Sequence, residues 1–466
     1  MMSEEYRCTS QNAFMDEIIT REERIFGLAT VHQSVKQHFA YLERFTEASW
    51  DKAFVEYLPL VERKQNLYDY YRVLKRFIAM LEDGHTNVHF PPSIKDSLDH
   101  LPIRLDVVEG EWVVVQRFPT EDVLTEDIPP GSILESIEVE SPSEYFAREF
   151  YPYLAAGRQQ SKRTILELAP MYRRDMKLRM RFRYPDCSSH DRDVTANRST
   201  VQWTEKLSQK YLPAWTRGER LLSTELAPGI HYLSFPSCEP ENETRLIGIL
   251  ESWSSKWPNG VILDIRHNGG GSTPEELVRH LISSPTKGYT VLSRWSISYV
   301  TACFQWIESA DKRMQLLKDF GLCNHFSPEW YLSDGGETVI TPAEIHYDGP
   351  LAILTGPMTI NAAEDLVVLL KQAGRGTVIG DRTFGSTGQP YMFTLPGGGR
   401  GLVCTVNCRF ADGTVFIGVG CEPDIPVTPT IKGIMEGRDE VLDAALDNLQ
   451  GISPEIKKGD HGVFRG

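Results

Sequence analysis

The sequence predicts a mixed α/β protein whose core is a sheet of mainly parallel strands. Three observations predict this fold class. The second half of the chain alternates short apolar segments that end in glycine with helical segments, the first part places apolar residues at helical spacing, and a hairpin-like segment lies between them. Alternation of strands and helices is typical of an α/β core with parallel strands.

The N-terminal region is predicted to be helical. From about Phe14 to Leu81 the apolar residues recur at helical spacing, as in VKQHFAYLERF and YDYYRVLKRFIAMLED, and proline is nearly absent. We therefore assign residues 1–99 to an N-terminal helical subdomain.

A small mixed domain is predicted over residues 100–200. The segment PIRLDVVEGEWVVVQRF has the alternation and the turn of a hairpin, and IPPGSILESIEVESPSEYF reads as a turn, a strand, a turn and the start of a helix. In LRMRFRYPDCSSHDRD apolar and basic residues alternate. This alternation predicts an edge strand that ends in a polar loop.

The core is predicted over residues 205–450. Its strands are GIHYLSF, GVILDIRHNGGG, GPLAILTG and GTVIGDRTFG, and its helices include TPEELVRHLISS and NAAEDLVVLLKQAG. An aromatic-rich segment at about 288–340 is predicted to be an insertion that borders a cleft, with Trp295 and Trp306 as candidates for lining an apolar site. Residues 451–466 are predicted to be a frayed tail.

Composition excludes several classes of function. The chain has 466 residues, 41% of them hydrophobic, and no long apolar run, so we expect a folded protein without a membrane partner. A net charge of −15 argues against nucleic acid, which needs clustered Lys and Arg. The N-terminus is acidic and polar, and the eight cysteines are scattered. We therefore expect a cytoplasmic protein with reduced, mostly buried thiols.

A run of three glycines follows a buried strand in VILDIRHNGGG, Val261 to Gly271. Glycines at such a position free backbone N–H groups to approach a ligand, which suits a pocket for developing negative charge. A plain strand-to-helix turn is the alternative. The spacing fits neither common nucleotide-binding loop, so we expect no nucleotide cofactor.

Two histidines lie close together in LEDGHTNVHFPP. His85 follows a glycine turn at the end of a helix, and it is a candidate general base, although a lone histidine is more often structural. His89 suggests a metal pair, but no third ligand with suitable spacing accompanies the two. We therefore expect neither a metal nor another cofactor.

The loop GDRTFGSTGQP, Gly380 to Pro390, follows a core strand and has the composition of a loop that borders a substrate cleft. Ser386 and Thr387 supply hydroxyl groups, and Gln389 ends the loop. An ordinary structural turn is the alternative.

Together these segments resemble a known family. DGHT, VILDIRHNGGG, TINAAEDL, GDRTFGSTGQP and DGTVFIGVGCEPDIPV occur in the order found in the tail-specific, or C-terminal processing, serine peptidases. The relevant branch includes the tricorn protease core and interphotoreceptor retinoid-binding protein. The resemblance extends from Arg220 to Thr428, with DGHT in addition.

The resemblance implies a ClpP/crotonase-like α/β core, an N-terminal helical subdomain and a PDZ-like α+β module over residues 100–200. It also implies roles for single residues. His85 matches the general base, the backbone of Gly269 and Gly270 matches the oxyanion hole, and the N–H of Ala362 matches its second donor. The position of the serine nucleophile is held by Asn361.

Asn361 makes the family reaction impossible as it stands, because an amide is not a competent nucleophile for acyl transfer. Asparagine is a favoured N-cap residue, and Asn361 with Glu364 predicts a capping box at the start of the helix. Serine would cap the helix equally well, so the exchange removes the nucleophile and is expected to preserve the fold.

Three functions remain open. The first is a non-peptidase enzyme, of lyase, isomerase or cyclase type, that uses the oxyanion pocket and His85 on a small apolar or peptidic substrate. The second is an inactive protein that binds a peptide or another ligand. The third is a peptidase, either one whose serine has been replaced in this chain or one with a displaced hydroxyl nucleophile. The candidates for that hydroxyl are Thr359, Ser386 and Thr387, which with Asn268 and Gln389 are also the predicted substrate-binding residues. The sequence does not predict an oligomeric state.

Overall fold

The structure is a computed structural model of the chain. It describes residues 19–41, 46–117, 128–157, 162, 171–197, 223–294, 297–321, 330–333 and 339–451. The predicted tail lies outside these residues except for its first residue. Within the described ranges, none of the helices has the length and apolar character that crossing a membrane requires.

The N-terminal region is helical, as predicted. Its long helices are α1 (Arg21–His38), α2 (Glu47–Glu62) and α3 (Leu67–Ala79). Each begins where a polar side chain accepts a hydrogen bond from a backbone N–H of the first turn, and these caps are Thr20, Thr46 and Asn66. Trp50 stacks on Phe77 with 4.2 Å between the ring centroids, which joins α2 to α3. One apolar cluster includes both these helices and the core strands, so the helical region packs directly on the core.

The middle of the chain forms a five-stranded antiparallel sheet in the order β3-β4-β5-β7-β8. The predicted hairpin is confirmed as β3 and β4, and the predicted strand and helix after it are confirmed as β5 and α5. The elements of this region are α4 (Pro92–Lys95), β2 (Leu98–His100), β3 (Ile103–Val108), β4 (Glu111–Arg117), β5 (Ile133–Ile137), α5 (Pro142–Glu149), a 3₁₀ turn (Tyr151–Tyr153), β6 (Met171–Arg173), β7 (Lys177–Arg183) and β8 (Ser189–Thr195).

The predicted strand is confirmed, but its predicted position at the edge of the sheet is wrong. Strand β7 pairs with β5 on one side and β8 on the other, so β7 lies inside the sheet. The predicted polar loop is limited to the turn at residues 184–188, and the residues after it form the edge strand β8. The basic side chains of β7 misled the prediction because acidic residues on the neighbouring strands pair with them. Arg179 lies 3.3 Å from Asp191, and Arg183 lies 3.2 Å from Glu135. The alternation therefore reflects cross-strand ion pairs on a solvated face.

The core is a six-stranded sheet in the order β21-β17-β16-β11-β10-β9. All neighbouring strands are parallel except β9, which pairs antiparallel with β10 at one edge. The prediction of parallel strands that alternate with helices is therefore confirmed. Its elements are β9 (Ser223–Ala227), β10 (Ile230–Ser234), α6 (Pro240–Ser252), β11 (Gly260–Asp264), α7 (Glu275–Leu281), β16 (Leu351–Thr355), α10 (Ala362–Gln372), β17 (Thr377–Gly380) and β21 (Ile425–Pro426).

Smaller sheets surround this core. A three-stranded sheet in the order β1-β19-β18 joins the segment after α3 to the strands that follow the Gly380 to Pro390 loop, and another has the order β14-β13-β20. The elements are β1 (Asn87–His89), β12 (Thr286–Lys287), β13 (Thr290–Arg294), α8 (Ile297–Trp306), α9 (Ala310–Gly321), β14 (Trp330–Ser333), β15 (Val339–Ile340), β18 (Pro390–Thr394), β19 (Arg400–Cys404) and β20 (Val406–Arg409).

Two C-terminal helices, α11 (Ile431–Glu436) and α12 (Glu440–Leu449), complete the described chain. Ile431 and Ile434 of α11 pack against an apolar cluster of the five-stranded sheet that includes Val108 and Val113. Helix α11 thus holds that sheet beside the core. The boundaries of the three predicted domains stay a prediction.

Candidate active site

The candidate site forms where β16 ends and α10 begins. Asn361 precedes the helix with φ of 60° and ψ of −131°. This conformation lies in the left-handed half of φ space, which costs a residue other than glycine about 1–3 kcal/mol. A strained residue in a strand-to-helix turn presents its side chain at the end of the sheet, as in the elbow that exposes a hydrolase nucleophile.

The predicted capping box of Asn361 and Glu364 is absent. The Asn361 side chain makes no cap bond to the helix. Glu364 instead accepts from the hydroxyl of Thr383 at 2.5 Å and from the N–H groups of Gly385 and Ser386 at 2.6 and 2.7 Å. The pattern N-x-x-E did not produce a capping box for two reasons. The positive φ turns the Asn361 side chain away from the helix, and Glu364 accepts hydrogen bonds from the loop instead of from the backbone of Asn361.

Glu364 anchors the loop from inside the core. Its side chain is fully buried, and desolvation raises its pKa to about 8, although the hydrogen bonds from the loop lower the pKa. Three polar groups of the loop converge on the two carboxyl oxygens. Through these bonds α10 fixes the loop that carries Ser386 and Thr387.

His85 is held by that loop. Its Nδ1 atom lies 2.6 Å from the Oγ atom of Ser386. Desolvation lowers the pKa of His85 below its usual value of 6.5, and the nearby charge of Asp83 partly opposes this. The neutral base therefore dominates at pH 7. No described residue bonds to Nε2 of His85, so this ring atom is available to a substrate.

The dipeptide Ser386–Thr387 connects His85 to Asn361. The carbonyl oxygen of Ser386 accepts from the N–H of Asn361 at 2.8 Å, and the hydroxyl of Thr387 donates to Oδ1 of Asn361 at 3.4 Å. The structure therefore brings together four of the residues predicted for the site.

The glycine loop after β11 lies against Asn361. A Cβ atom on Gly270, whose φ is 99°, would lie 2.5 Å from the Cβ atom of Asn361, so only glycine fits there. The N–H of Gly270 donates to Oδ1 of Asn268 at 2.9 Å. The carbonyl of Asn268 accepts from the N–H of Ile360 at 3.0 Å, which ties the glycine loop to the turn before α10.

Two backbone donors remain available for an oxyanion. The N–H of Ala362 is the first of helix α10 and the N–H of Gly269 belongs to an exposed residue, and neither has an acceptor within the described part of the chain. The N–H of Gly270 was also expected to donate to an oxyanion. In the structure it donates to Oδ1 of Asn268 instead. Of the three predicted donors, Gly269 and Ala362 are therefore the two whose N–H groups have no acceptor among the described residues.

Two of the predicted substrate-binding residues lie beneath the site. Asn268 is fully buried, and its amide donates to the carbonyl oxygen of Phe235 at 2.9 Å. Thr359 is also fully buried, and its hydroxyl donates to the carbonyl oxygen of Ile265 at 2.9 Å. Both side chains bond to backbone groups beneath the site, and their predicted roles in substrate binding stay predictions.

The other predicted substrate contacts border the loop or fall outside the structure. The indole N–H of Trp306 donates to the carbonyl oxygen of Pro390 at 3.1 Å, and half of this side chain is exposed. The carbonyl oxygen of Gln389 accepts from the hydroxyl of Thr405 at 2.5 Å. Trp295 lies outside the described residues.

Sequence reasoning missed Asp365, which lies one helical turn after Asn361. Its carboxyl group is almost fully buried, and the hydroxyl of Thr273 donates to Oδ2 at 2.8 Å. Desolvation raises the pKa of Asp365 to about 6, and hydrogen bonds from Thr273 and Thr387 lower it. The available signal was a pair of acidic residues at the start of the apolar helix AAEDLVVLL.

The described residues offer no cluster of three or more His, Cys, Asp or Glu side chains that could hold a metal ion. The groups that the described residues bring together at the site are an imidazole, two backbone N–H groups, a carboxamide, hydroxyl groups and buried carboxyl groups.

Known proteins resemble the chain at two levels. Residues 229–427 match the sequence model described as Peptidase family S41, and no curated protein sequence matches the chain. The structure of mature CPAF matches with a TM-score of 0.71 and 15% identity over 92% of this chain and 97% of CPAF. The structure of mature CPAF in complex with lactacystin matches with a TM-score of 0.70 and 15% identity, over 93% of this chain and 98% of CPAF. The structure of a serine-to-alanine mutant of CPAF matches with a TM-score of 0.72 and 15% identity, over 92% of this chain and 97% of the mutant. At this identity the likeness establishes a shared fold.

Proposed function

We propose that the chain, whose residues 229–427 match the sequence model described as Peptidase family S41, is an enzyme that uses the oxyanion pocket of this fold without a serine nucleophile. His85 acts as the general base, and the substrate is a small apolar or peptidic molecule with a carbonyl group. The reaction is of lyase, isomerase or cyclase type and forms no covalent bond to the protein.

The backbone at Asn361 carries this proposal. An asparagine that only capped α10 would adopt the extended conformation of a normal cap, yet Asn361 has a φ of 60° and makes no cap bond. Strain of this kind persists where the surrounding structure enforces it, and it is concentrated at active sites. The contact with Gly270 and the bond from Thr387 supply that enforcement here.

The proposed steps follow from the geometry. Nε2 of His85 takes a proton from the substrate, and the N–H groups of Gly269 and Ala362 stabilise the negative charge that develops on its carbonyl oxygen. The N-terminus of the 11-residue helix α10 adds its dipole to this stabilisation. The carboxamide of Asn361 supplies a further hydrogen bond and cannot form an acyl intermediate.

A fluorophosphonate probe, which reacts with activated serine hydroxyls, tests the pocket directly. We expect no labelling of the unchanged chain, labelling of Asn361→Ser, and none of Asn361→Ala. This result means that the base and the oxyanion donors are in place and that only the nucleophile is missing. Failure of Asn361→Ser to react, with its fold intact by circular dichroism, would reject a working pocket.

Turnover tests the rest of the proposal. Peptides and acyl compounds that raise the melting temperature of the chain are incubated with it, and products are identified by mass spectrometry. We expect His85→Ala to abolish product formation while the thermal shift persists. Saturable shifts without any product would instead identify a binding protein.

A serine hydrolase with Ser386 as nucleophile is the second candidate, because the Ser386 hydroxyl lies 2.6 Å from His85. Two observations count against it. Ser386 is only 2% exposed, and it bonds Nδ1, the ring atom that the orienting residue of a triad occupies. Labelling of the unchanged chain that Ser386→Ala abolishes would establish this candidate.

The finer features of the fold belong to the same proposal. A ClpP/crotonase-like core is supported by the parallel sheet and by an oxyanion pocket at a helix start, and a PDZ-like module is supported by the sheet of β3 to β8 with helix α5. A cytoplasmic location is supported by four buried cysteines with free thiols, Cys238, Cys404, Cys408 and Cys421.

A further inference from the structure

The backbone of Asn361 brings the next nitrogen of the chain beside its own side chain. Around the Cα–C bond of an L-residue, the Cβ atom lies at about −120° from the backbone nitrogen. The angle ψ gives the position of the following nitrogen on the same scale, and for Asn361 it is −131°. The nitrogen of Ala362 therefore nearly eclipses Cβ of Asn361, at about 11° from it.

This arrangement is the one that closure of a five-membered imide ring requires. The ring of a succinimide contains Cα, Cβ, Cγ and the carbonyl carbon of an asparagine together with the nitrogen of the next residue. It closes only where Cβ and that nitrogen are nearly eclipsed. Helices have ψ of about −42° and strands have ψ of about +115° to +135°, so both keep the two atoms apart. Asn361 is thus held in a reactive conformation that helices and strands do not offer.

The reacting groups are also free to move and polarised. Among the residues that the structure describes, none accepts the N–H of Ala362, so this group loses its proton without breaking a hydrogen bond. The hydroxyl of Thr387 donates to Oδ1 of Asn361 at 3.4 Å, which draws electrons from the carboxamide carbon. A Cβ atom on Gly270 would lie 2.9 Å from Cγ and 3.0 Å from Nδ2 of Asn361, so glycine leaves the space beside the carboxamide. Asn361 is partly exposed, and water reaches it.

We propose that Asn361 is a site of spontaneous deamidation, in which the nitrogen of Ala362 attacks the carboxamide carbon. Hydroxide takes the proton of the Ala362 N–H, the bond from this nitrogen to Cγ forms, and the bond from Cγ to Nδ2 breaks. Nδ2 leaves as ammonia after it takes a proton from water, which restores the hydroxide. Water then opens the imide, at Cγ to give aspartate or at the main-chain carbonyl carbon to give isoaspartate. The net reaction consumes water and releases ammonia.

The product fits its position in the fold. Aspartate places a negative charge at the N-terminus of the 11-residue helix α10, where the helix dipole stabilises it. Deamidation also replaces the neutral carboxamide that the proposed reaction uses. The proposal does not depend on that reaction, because ring closure needs only Asn361, Ala362 and water.

Two Asn–Gly pairs in the same chain serve as internal controls. They are Asn259–Gly260 and Asn268–Gly269. In the unfolded chain both should form the imide faster than Asn361–Ala362, because glycine has no Cβ atom to hinder its nitrogen. A faster reaction of Asn361–Ala362 in the folded chain would therefore be due to its conformation.

Folding holds both control pairs. The N–H of Gly260 donates to the carbonyl oxygen of Gly229 at 3.2 Å, so this nitrogen is not free to attack. The carboxamide of Asn268 donates to the carbonyl oxygen of Phe235 and accepts from the N–H of Gly270, both at 2.9 Å. We therefore expect folding to reverse the order of the rates.

Mass spectrometry of the whole chain tests this order. One sample is kept folded in mildly alkaline water enriched in heavy oxygen, and another is kept in denaturant in the same water. Proteolytic peptides are then analysed, with fragmentation that distinguishes aspartate from isoaspartate. In the folded sample Asn361 should take up solvent oxygen at least about 10-fold faster than Asn259 and Asn268, because its reacting groups are already oriented. In denaturant both controls should react faster than Asn361.

Two variants and one reagent test the route. Thr387→Val keeps the shape of the side chain but removes the hydroxyl, and it should slow the reaction about 2- to 10-fold. Asn361→Gln moves the carboxamide one CH₂ group away and should stay unmodified at this position over the same time. Hydroxylamine, which cleaves imides, should cut the folded chain after Asn361. Circular dichroism checks that both variants fold.

The outcomes are distinct. Aspartate and isoaspartate at Asn361 of the folded chain, formed ahead of both controls, support the proposal. It is overturned if Asn361 stays unmodified in the folded chain while the controls react in denaturant. Aspartate without any cleavage by hydroxylamine means direct hydrolysis, and breakage of the chain after Asn361 without the reagent means attack by Nδ2 on the main chain. Either result also overturns the proposal. Failure of the proposed function appears separately, as absent fluorophosphonate labelling of Asn361→Ser, which cannot deamidate at this position.

Discussion

The Nδ1 atom of His85 lies 2.6 Å from the Oγ atom of Ser386, a residue that the loop after β17 holds in place through Glu364. In a catalytic triad the corresponding ring atom bonds the residue that orients the histidine, and Nε2 faces the nucleophile. The hydroxyl of Ser386 therefore takes the position of an orienting group. A neutral hydroxyl orients the ring without stabilising an imidazolium charge as a carboxylate does.

This relationship predicts a difference between two substitutions made in the reactive variant Asn361→Ser. His85→Ala should slow its labelling by a fluorophosphonate about 10²- to 10⁴-fold, because the general base is lost. Ser386→Ala should slow it less, by roughly 10-fold, because the base remains but is poorly oriented. Rates of labelling measure both effects. If Ser386→Ala removes labelling as completely as His85→Ala, Ser386 is more than an orienting group.

The pH dependence of the same labelling follows from the desolvation of His85. Because the pKa of His85 is lowered from 6.5, its neutral form persists into mildly acidic solution. The labelling rate of Asn361→Ser should therefore reach half of its plateau below about pH 6.5 and be constant in alkaline solution. A rate that still rises between pH 7 and pH 9 would contradict this assignment of the base.

Strain at Asn361 predicts an effect on stability. Glycine adopts a φ of 60° without the cost of a Cβ atom, so Asn361→Gly should raise the free energy of unfolding by about 1 kcal/mol. Asn361→Ala keeps the strain and loses the bond from Thr387, so it should be less stable than the unchanged chain. Chemical denaturation compares the three proteins. Equal stability of the glycine and alanine variants would show that the turn is not strained.

The sequence predicted the elements of the core because the period of their apolar residues is a local property. The strands GVILDIRHNGGG and GPLAILTG and the helix NAAEDLVVLLKQAG were predicted from that pattern, and the structure confirms them. The interior position of β7 escaped prediction because it depends on acidic partners on two other strands, Glu135 and Asp191.

The sequence predicted which residues lie at the site, but it did not predict what each of them does there. His85, Ser386, Thr387 and Asn361 are close together in the fold, as the motif order implies. The roles of Asn268 and Glu364 depend on which backbone groups approach them in space, and no spacing along the chain encodes that.

The three bonds to Glu364 predict a large cost for an isosteric substitution. Glu364→Gln places an amide NH₂ where a second carboxylate oxygen accepts a donor, so at least one N–H or hydroxyl of the loop loses its acceptor. The free energy of unfolding should fall by about 1–3 kcal/mol. The exposed Glu276→Gln serves as the control and should change stability little. Similar stability of both variants would mean that the loop is not held by Glu364.

Asp365 predicts how stability depends on pH. Its folded pKa of about 6 lies above its usual value of 3.8, so between these values the folded chain keeps a proton that the unfolded chain has lost. The contribution of Asp365 is therefore complete below pH 3.8 and is lost as the pH rises to about 6. Asp365→Asn accepts the bond from Thr273 and does not titrate. Its stability relative to the unchanged chain should rise over this window by up to roughly 3 kcal/mol. Denaturation at a series of pH values measures the free energy of unfolding of both proteins. The difference between the two values cancels the contributions of titrating groups that both proteins share. A constant difference from pH 4 to pH 6 would mean that the carboxyl group of Asp365 is ionised throughout.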